Sequence, residues 1–120
     1  MFKGDDNMEG IKYVGLGDLE SFETEQIQSL AEEGFAKLMK RAKLREAELS
    51  VFVKKIHKSE KSHHYELILK LNAAGTRKAW FDVRHDDFDL AKVIHKCFEA
   101  LAVNVEHEFA KKLQKEKFVA

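Results

Sequence analysis

Two groups of side chains in this sequence have the chemistry to hold phosphate. One is Lys37, Lys40, Arg41 and Lys43, with Arg45 just beyond. The other is the run Lys54-Lys55-Ile56-His57-Lys58-Ser59-Glu60-Lys61-Ser62-His63-His64, where four lysines and three histidines oppose one glutamate. Ammonium and guanidinium groups neutralise phosphate oxygens and release counterions, which gives salt-dependent affinity for nucleic acid. The first group has a competing account in the helix dipole. Glu25, Glu32 and Glu33 precede it, so acids sit toward the start of a helix and bases toward its end. The last helix repeats this polarity, from Asp86, Asp87 and Asp89 to Lys111, Lys112, Lys115 and Lys117. The second group is read as a loop, where no dipole needs compensation; its competing account is a solvated hairpin tip.

Other chemistries find less support. His57, His63 and His64 are nitrogen donors, but His63 and His64 are adjacent and would point to opposite sides of a strand. No Cys, Asp or Glu completes a zinc spacing, so no metal is expected. Cys97 falls mid-helix, away from any positive helix terminus that would lower its pKa. His95 faces another side of that helix and cannot serve as its base. Capping accounts for Asp86, Asp87 and Asp89, which leaves Asp82 without a carboxylate partner. Gly15-Leu16-Gly17 lacks the rest of a phosphate-binding glycine pattern. No enzyme activity, cofactor or small-molecule substrate is expected.

The chain has 120 residues, 21 Lys and Arg against 21 Asp and Glu, and zero formal net charge. That length predicts one domain, and the balance means that charge distribution matters more than total charge. A single cysteine excludes an intramolecular disulfide framework and fits a reducing compartment. Met1 to Gly10 is acidic and polar, unlike a leader peptide, and is expected to be a flexible tail. No apolar run approaches the roughly 20 residues that span a bilayer, so a cytoplasmic location without membrane contact is expected.

The elements that must position these groups follow from periodicity. Ile11-Lys12-Tyr13-Val14 alternates as a short strand, closed by Gly15 and Gly17. Ile27, Leu30, Ala31, Gly34, Phe35, Leu38, Met39 and Ala42 recur at helical spacing, which predicts a helix over 24–44 capped by Ser21 or Thr24. The period then becomes two. Ala47, Leu49, Val51 and Val53 share one face of a strand over 46–56. Tyr65, Leu67, Leu69 and Leu71 share a face over 63–73, and Ala79, Phe81 and Val83 over 76–84. Ala73-Ala74-Gly75 is read as a three-residue hairpin turn. Asp86 or Asp87 is expected to cap a helix over 87–115, whose buried stripe is Ala91, Ile94, Phe98, Leu101, Val105 and Phe109.

This β-α-β-β-β-α order predicts an α+β two-layer sandwich over 11–117, with two helices on one face of a four-stranded, mainly antiparallel sheet. The other face should meet water. Phe35, Leu38, Leu49, Val51, Leu67, Leu69, Phe81, Ile94, Phe98 and Leu101 are the expected core. Strand alternation turns Phe52, Ile68 and Trp80 outward, and the assumed turn pairs Ile68 with Trp80. Such a row can stack bases, mark a protein contact or simply brace the sheet.

From Ile11 to Lys117 this layout resembles the family of ribosome hibernation-promoting factors and ribosome-associated inhibitors. The local matches are Phe35-Ala36-Lys37-Leu38 on the first helix, Asp86-Asp87-Phe88 opening the last, and the Gly75 turn. The chain is similar to the short form, which stops after the second helix. The resemblance implies a non-enzymatic regulator that binds the small ribosomal subunit and its rRNA in the mRNA and tRNA channel and silences translation under stress. On that reading Lys37, Lys40, Arg41 and Lys43, with Lys54, Lys55, Lys58 and Lys61, are the RNA-binding residues. The last helix departs from the family pattern: Glu99, Glu106 and Glu108 stand where bases would be expected. The alternative is a protein-interaction module or homo-oligomer that uses Phe52, Ile68 and Trp80.

Overall fold

A computed structural model describes residues 10–44, 46–57, 63–73 and 80–119, with the side chains of His57 and of 109–119 left outside that description. Its elements run β1 (Ile11–Val14), α1 (Ser21–Arg41), β2 (Ala47–His57), β3 (His63–Ala73), β4 (Trp80–Asp87) and α2 (Leu90–Val119). A 3-10 turn, Leu16–Asp18, joins β1 to the approach of α1. Gly15 starts that turn with φ 93°, where a side chain would run into the Val53 carbonyl.

The four strands form one sheet in sequence order. β1 lies parallel to β2, and the crossover that makes this pairing reachable is α1. β2–β3 and β3–β4 are antiparallel. The sheet is therefore mixed, and the architecture is the expected α+β sandwich.

All ten expected core residues are buried. Leu49, Val51, Leu67, Leu69, Leu71 and Phe81 project from the sheet, and Ile27, Ala31, Phe35, Leu38, Val93, Ile94, Cys97 and Leu101 meet them from the helices. Each fully buried Leu or Ile stabilises the fold by roughly 1.5–3 kcal/mol. The helices also pack on each other. Gly34 of α1 lies under the Phe98 ring of α2, and a Cβ there would stand 2.7 Å from that ring.

Three local expectations are corrected. Glu20, not Ser21 or Thr24, holds the cap position of α1, and the Glu23 carboxylate accepts the Glu20 N–H at 2.8 Å. Asp89, rather than Asp86 or Asp87, caps α2: its carboxylate accepts the Lys92 N–H at 3.3 Å. Asp86 and Asp87 still belong to β4. The expected pairing of Ile68 with Trp80 is also wrong: Ile68 pairs with Arg84, and Asn72 pairs with Trp80. Trp80 is the first described residue of β4. The flexible tail over 1–9, the Gly75 turn, Ala79, Arg45, Lys58, Lys61 and the side chain of Phe109 lie outside the described residues.

Candidate nucleic-acid interface

α1 runs antiparallel to β2 along the covered face of the sheet. Its first turn reaches Lys55 near the end of β2, and its last turn lies where β2 begins. β2 has 11 residues, so its two ends are about 33 Å apart at the ordinary strand rise. The basic group on α1 and the basic group around the β2–β3 hairpin therefore sit at opposite ends of the sheet. The fold does not merge them into one patch.

At the α1 end, Lys37, Lys40 and Arg41 occupy the last turns and Lys43 follows with φ 55°. Lys40 and Lys43 are exposed and make no ion pair among the described residues. Lys37 reaches Glu33 at 3.1 Å, an exposed pair of little energetic weight. Arg41 behaves differently. Its guanidinium bonds Glu106 of α2 at 2.9 Å and lies 3.7 Å from Glu99. The hydrogen bond to Glu106 leads the causes that raise its pKa above the usual arginine value. Arg41 ties the two helices together, and the acids on α2 are its partners. Beside it, a groove of about 200 Å³ runs between the helices over Leu30, Gly34, Ile94 and Phe98, rimmed by Glu33, Lys37 and Glu99.

At the hairpin end the lysines separate by strand parity. Lys54 is exposed on the open face of the sheet. Lys55 turns inward, its side chain 12% accessible, and meets the Glu23 carboxylate at 3.0 Å. Lys58 and Lys61 lie outside the described residues.

Glu23 is the feature that sequence reasoning missed. It is 1% exposed, the one buried charged residue among those described. Its carboxylate accepts the Tyr65 hydroxyl, the Lys55 ammonium and the Glu20 N–H. Burial pushes its pKa up, but the three donors outweigh burial and hold the carboxyl below its usual range. Burial, with Glu23 beside it, raises the Tyr65 phenol well above its ordinary value. His63 joins the cluster, 3.0 Å from the Tyr65 hydroxyl. The first turn of the helix gives one signal: Glu23 lies four residues before Ile27, on the same face.

The remaining candidates are placed as follows. The Cys97 thiol is buried, donates to the Leu67 carbonyl at 3.5 Å and is pushed up to about 12 by burial. His64 pairs with Asp86 at 3.2 Å and stacks edge-on with Phe88. Among the described residues no group of His, Cys, Asp and Glu converges as a metal site. No helix is long and apolar enough to cross a membrane. Phe52 and Ile68 are cross-strand neighbours on the open face, with the Lys70 ammonium 5.2 Å from the Phe52 ring centroid. Trp80 is 64% exposed on that face but lies four residues along the strand from the partner of Ile68. The three residues do not form a single row.

No family model matches this chain, and no curated protein matches it. A solved structure does: the N-terminal domain of Protein Y from Thermus thermophilus, with 17% sequence identity and a TM-score of 0.52. The match covers 84% of this chain and 97% of that one. At this identity the likeness is one of fold.

Proposed function

We propose that this protein is a ribosome-associated translation regulator that binds rRNA of the small subunit through the end of α1. The observation that carries the reading is the pair Lys40 and Lys43, exposed and without ion-pair partners among the described residues where α1 ends. Lys37 adds a third ammonium, since its exposed pairing with Glu33 is readily exchanged for a phosphate. The fold likeness to the Protein Y domain supports the reading, as does the resemblance in element order to the hibernation-factor family. Binding of this kind requires no reaction: ammonium groups meet backbone phosphates, release counterions and fix the protein on its site without reading bases. Occupancy of the channel by the domain would then obstruct mRNA and tRNA. A protein with this role works in the cytoplasm, where stress or stationary phase calls for idle ribosomes.

Arg41 and Lys55 take a different part. Both are committed to carboxylates within the fold, so their contribution is to hold α1 in place. Lys58 and Lys61, between β2 and β3 in the sequence, form the second contact of the proposal.

The test is binding of the full chain to isolated small subunits across a salt series. The wild type should bind at low salt with a negative slope of log affinity against log salt. Lys37→Glu, Lys40→Glu and Lys43→Glu together should weaken binding and flatten that slope by about two to three units. Absence of subunit binding at low salt, or a slope untouched by the triple reversal, overturns the reading.

A further inference from the structure

The open face of the sheet is laid out as its own complement. The register sets its outward side chains in rows that cross the strands. The central row is Val14, Phe52, Ile68 and Arg84. On one side runs the row Lys12, Ser50, Lys70 and Asp82. On the other side Lys54 stands beside Glu66 and Asp86. Lys12 and Lys54 therefore stand on the β1–β2 half of these two rows and Asp82 and Asp86 at their β4 end, with Lys70 and Glu66 between them on β3. The central row is apolar from β1 to β3 and ends in Arg84 on β4, and Val14 is 49% exposed there.

We propose that this face binds a second copy of the chain, sheet against sheet, about a twofold axis parallel to the strands between β2 and β3. That axis lays the partner's β1 over β4 and the partner's β2 over β3, and it keeps each row in register. Phe52 then meets the partner's Ile68. Lys54 meets the partner's Glu66, a carboxylate that Arg84 of its own copy also holds. Lys12 meets the partner's Asp82. Every contact occurs twice, as an isologous interface demands. Aligned sheets pack within about 30° of each other, an offset that flexible lysine stems span.

Charge selects this occupant over a nucleic acid. Lys12, Lys54, Lys70 and Arg84 share the face with Glu48, Glu66, Asp82 and Asp86. A phosphate backbone laid across it would meet as many carboxylates as cationic groups. Lys12 and Asp82 are both exposed and make no ion pair among the described residues. They stand on opposite edge strands, about 14 Å apart at ordinary strand spacing, too far to pair within one copy. The footprint, four strands wide and four rows long, is about 500 Å² per copy, so about 1,000 Å² is buried in total, the low end of a specific interface. The dimer is expected to be weak and salt-sensitive. Because it uses the face away from α1, it stands or falls independently of the rRNA reading.

The experiment is sedimentation equilibrium of the full chain at low salt, up to about 100 μM, where an interface of this size is populated. The wild type should dimerise. Lys12→Glu alone and Asp82→Lys alone should each weaken dimerisation about tenfold or more, since each sets like charges together twice. An equimolar mixture of the two variants should recover dimers. In the mixed dimer the introduced glutamate faces the introduced lysine in one contact, and the native Lys12 and Asp82 meet in the other. Recovery also shows that both variants fold. Trp80 should become less accessible to iodide as the chain concentration rises. A wild type that stays monomeric overturns the proposal, as does a dimer indifferent to both reversals. So does a monomer whose Trp80 is shielded by single-stranded RNA, which would assign the face to nucleic acid.

Discussion

Phe98 of α2 lies flat on Gly34 of α1, so that a Cβ on Gly34 would stand 2.7, 2.8 and 2.9 Å from three atoms of the ring. The hydrogen on this glycine is what lets the two helices approach. Gly34→Ala should therefore lower stability by about 1–3 kcal/mol, the usual cost of overpacking, even though alanine is the better helix former by about 1 kcal/mol. Urea denaturation measures it. Phe98→Leu in the same chain should return part of the loss; a Gly34→Ala protein as stable as wild type would show that the helices part without cost.

Glu23 should dominate the acid limb of stability. Its carboxyl is held below the usual range by Tyr65, Glu20 and Lys55 against the opposing effect of burial. A depressed folded-state pKa contributes stability that is complete above the unfolded value, about 4.3, and is lost as pH falls through the folded one. Asp87 adds to the same limb, since its bond to Lys96 brings it down to about 2. Glu23→Gln should cost about 3 kcal/mol at neutral pH, because Lys55 is left buried without its counter-charge. It should also flatten the decline in stability between pH 5 and pH 2. An acid limb of unchanged steepness would remove Glu23 from this role.

Arg41 and Lys40 are neighbours with opposite consequences. Arg41→Gln removes the bridge to Glu106 and Glu99, so it should lower the melting temperature and speed amide exchange in α2. Lys40→Gln should leave both unchanged and affect only binding. Equal thermal shifts in the two variants would contradict the division of labour between them.

Cys97 should be silent toward thiol reagents in the folded protein. Burial pushes its thiol up to about 12, so almost no thiolate exists at pH 8, and the sulfur is enclosed as well. A colorimetric disulfide reagent should titrate one thiol in denaturant and react in native buffer only at the rate of opening. Prompt native labelling would place the sulfur at the surface.

Helices, strands and the buried faces of β2, β3 and β4 are legible because each is a local pattern with a period of 3.6 or 2. What escaped was set by distance or by length. An Ile68–Trp80 pair assumes the register between β3 and β4; Ile68 pairs with Arg84 instead, and one misplaced pair shifts an entire strand. Lys55 carries the inward parity of Leu49, Val51 and Val53, but its position in a basic run suggested a loop. The strand expected over 46–56 already contains Lys55, and β2, which runs to His57, gives it that parity. Its partner Glu23 lies 32 residues away, a separation at which composition and periodicity carry no information. The same limit hid the acids that neutralise Arg41. Glu99 and Glu106 departed from the expected basic pattern, and the reason is a contact between helices.

The cluster of Glu23, Tyr65 and Lys55 also acts as a vernier on the position of α1. Apolar side chains tolerate sliding, since a leucine displaced along a sheet still finds hydrocarbon. A carboxylate does not. If α1 slipped by one turn, about 5.4 Å, Glu23 would leave both partners behind and bury an unmatched charge while Lys55 did the same. Gly34 would leave Phe98 by the same movement. Two contacts of different chemistry, one in the first turn of the helix and one past its middle, thus select a single axial setting. Lys37, Lys40 and Lys43 inherit that setting as fixed coordinates, and a rigid spacing of charges is what a phosphate lattice can recognise.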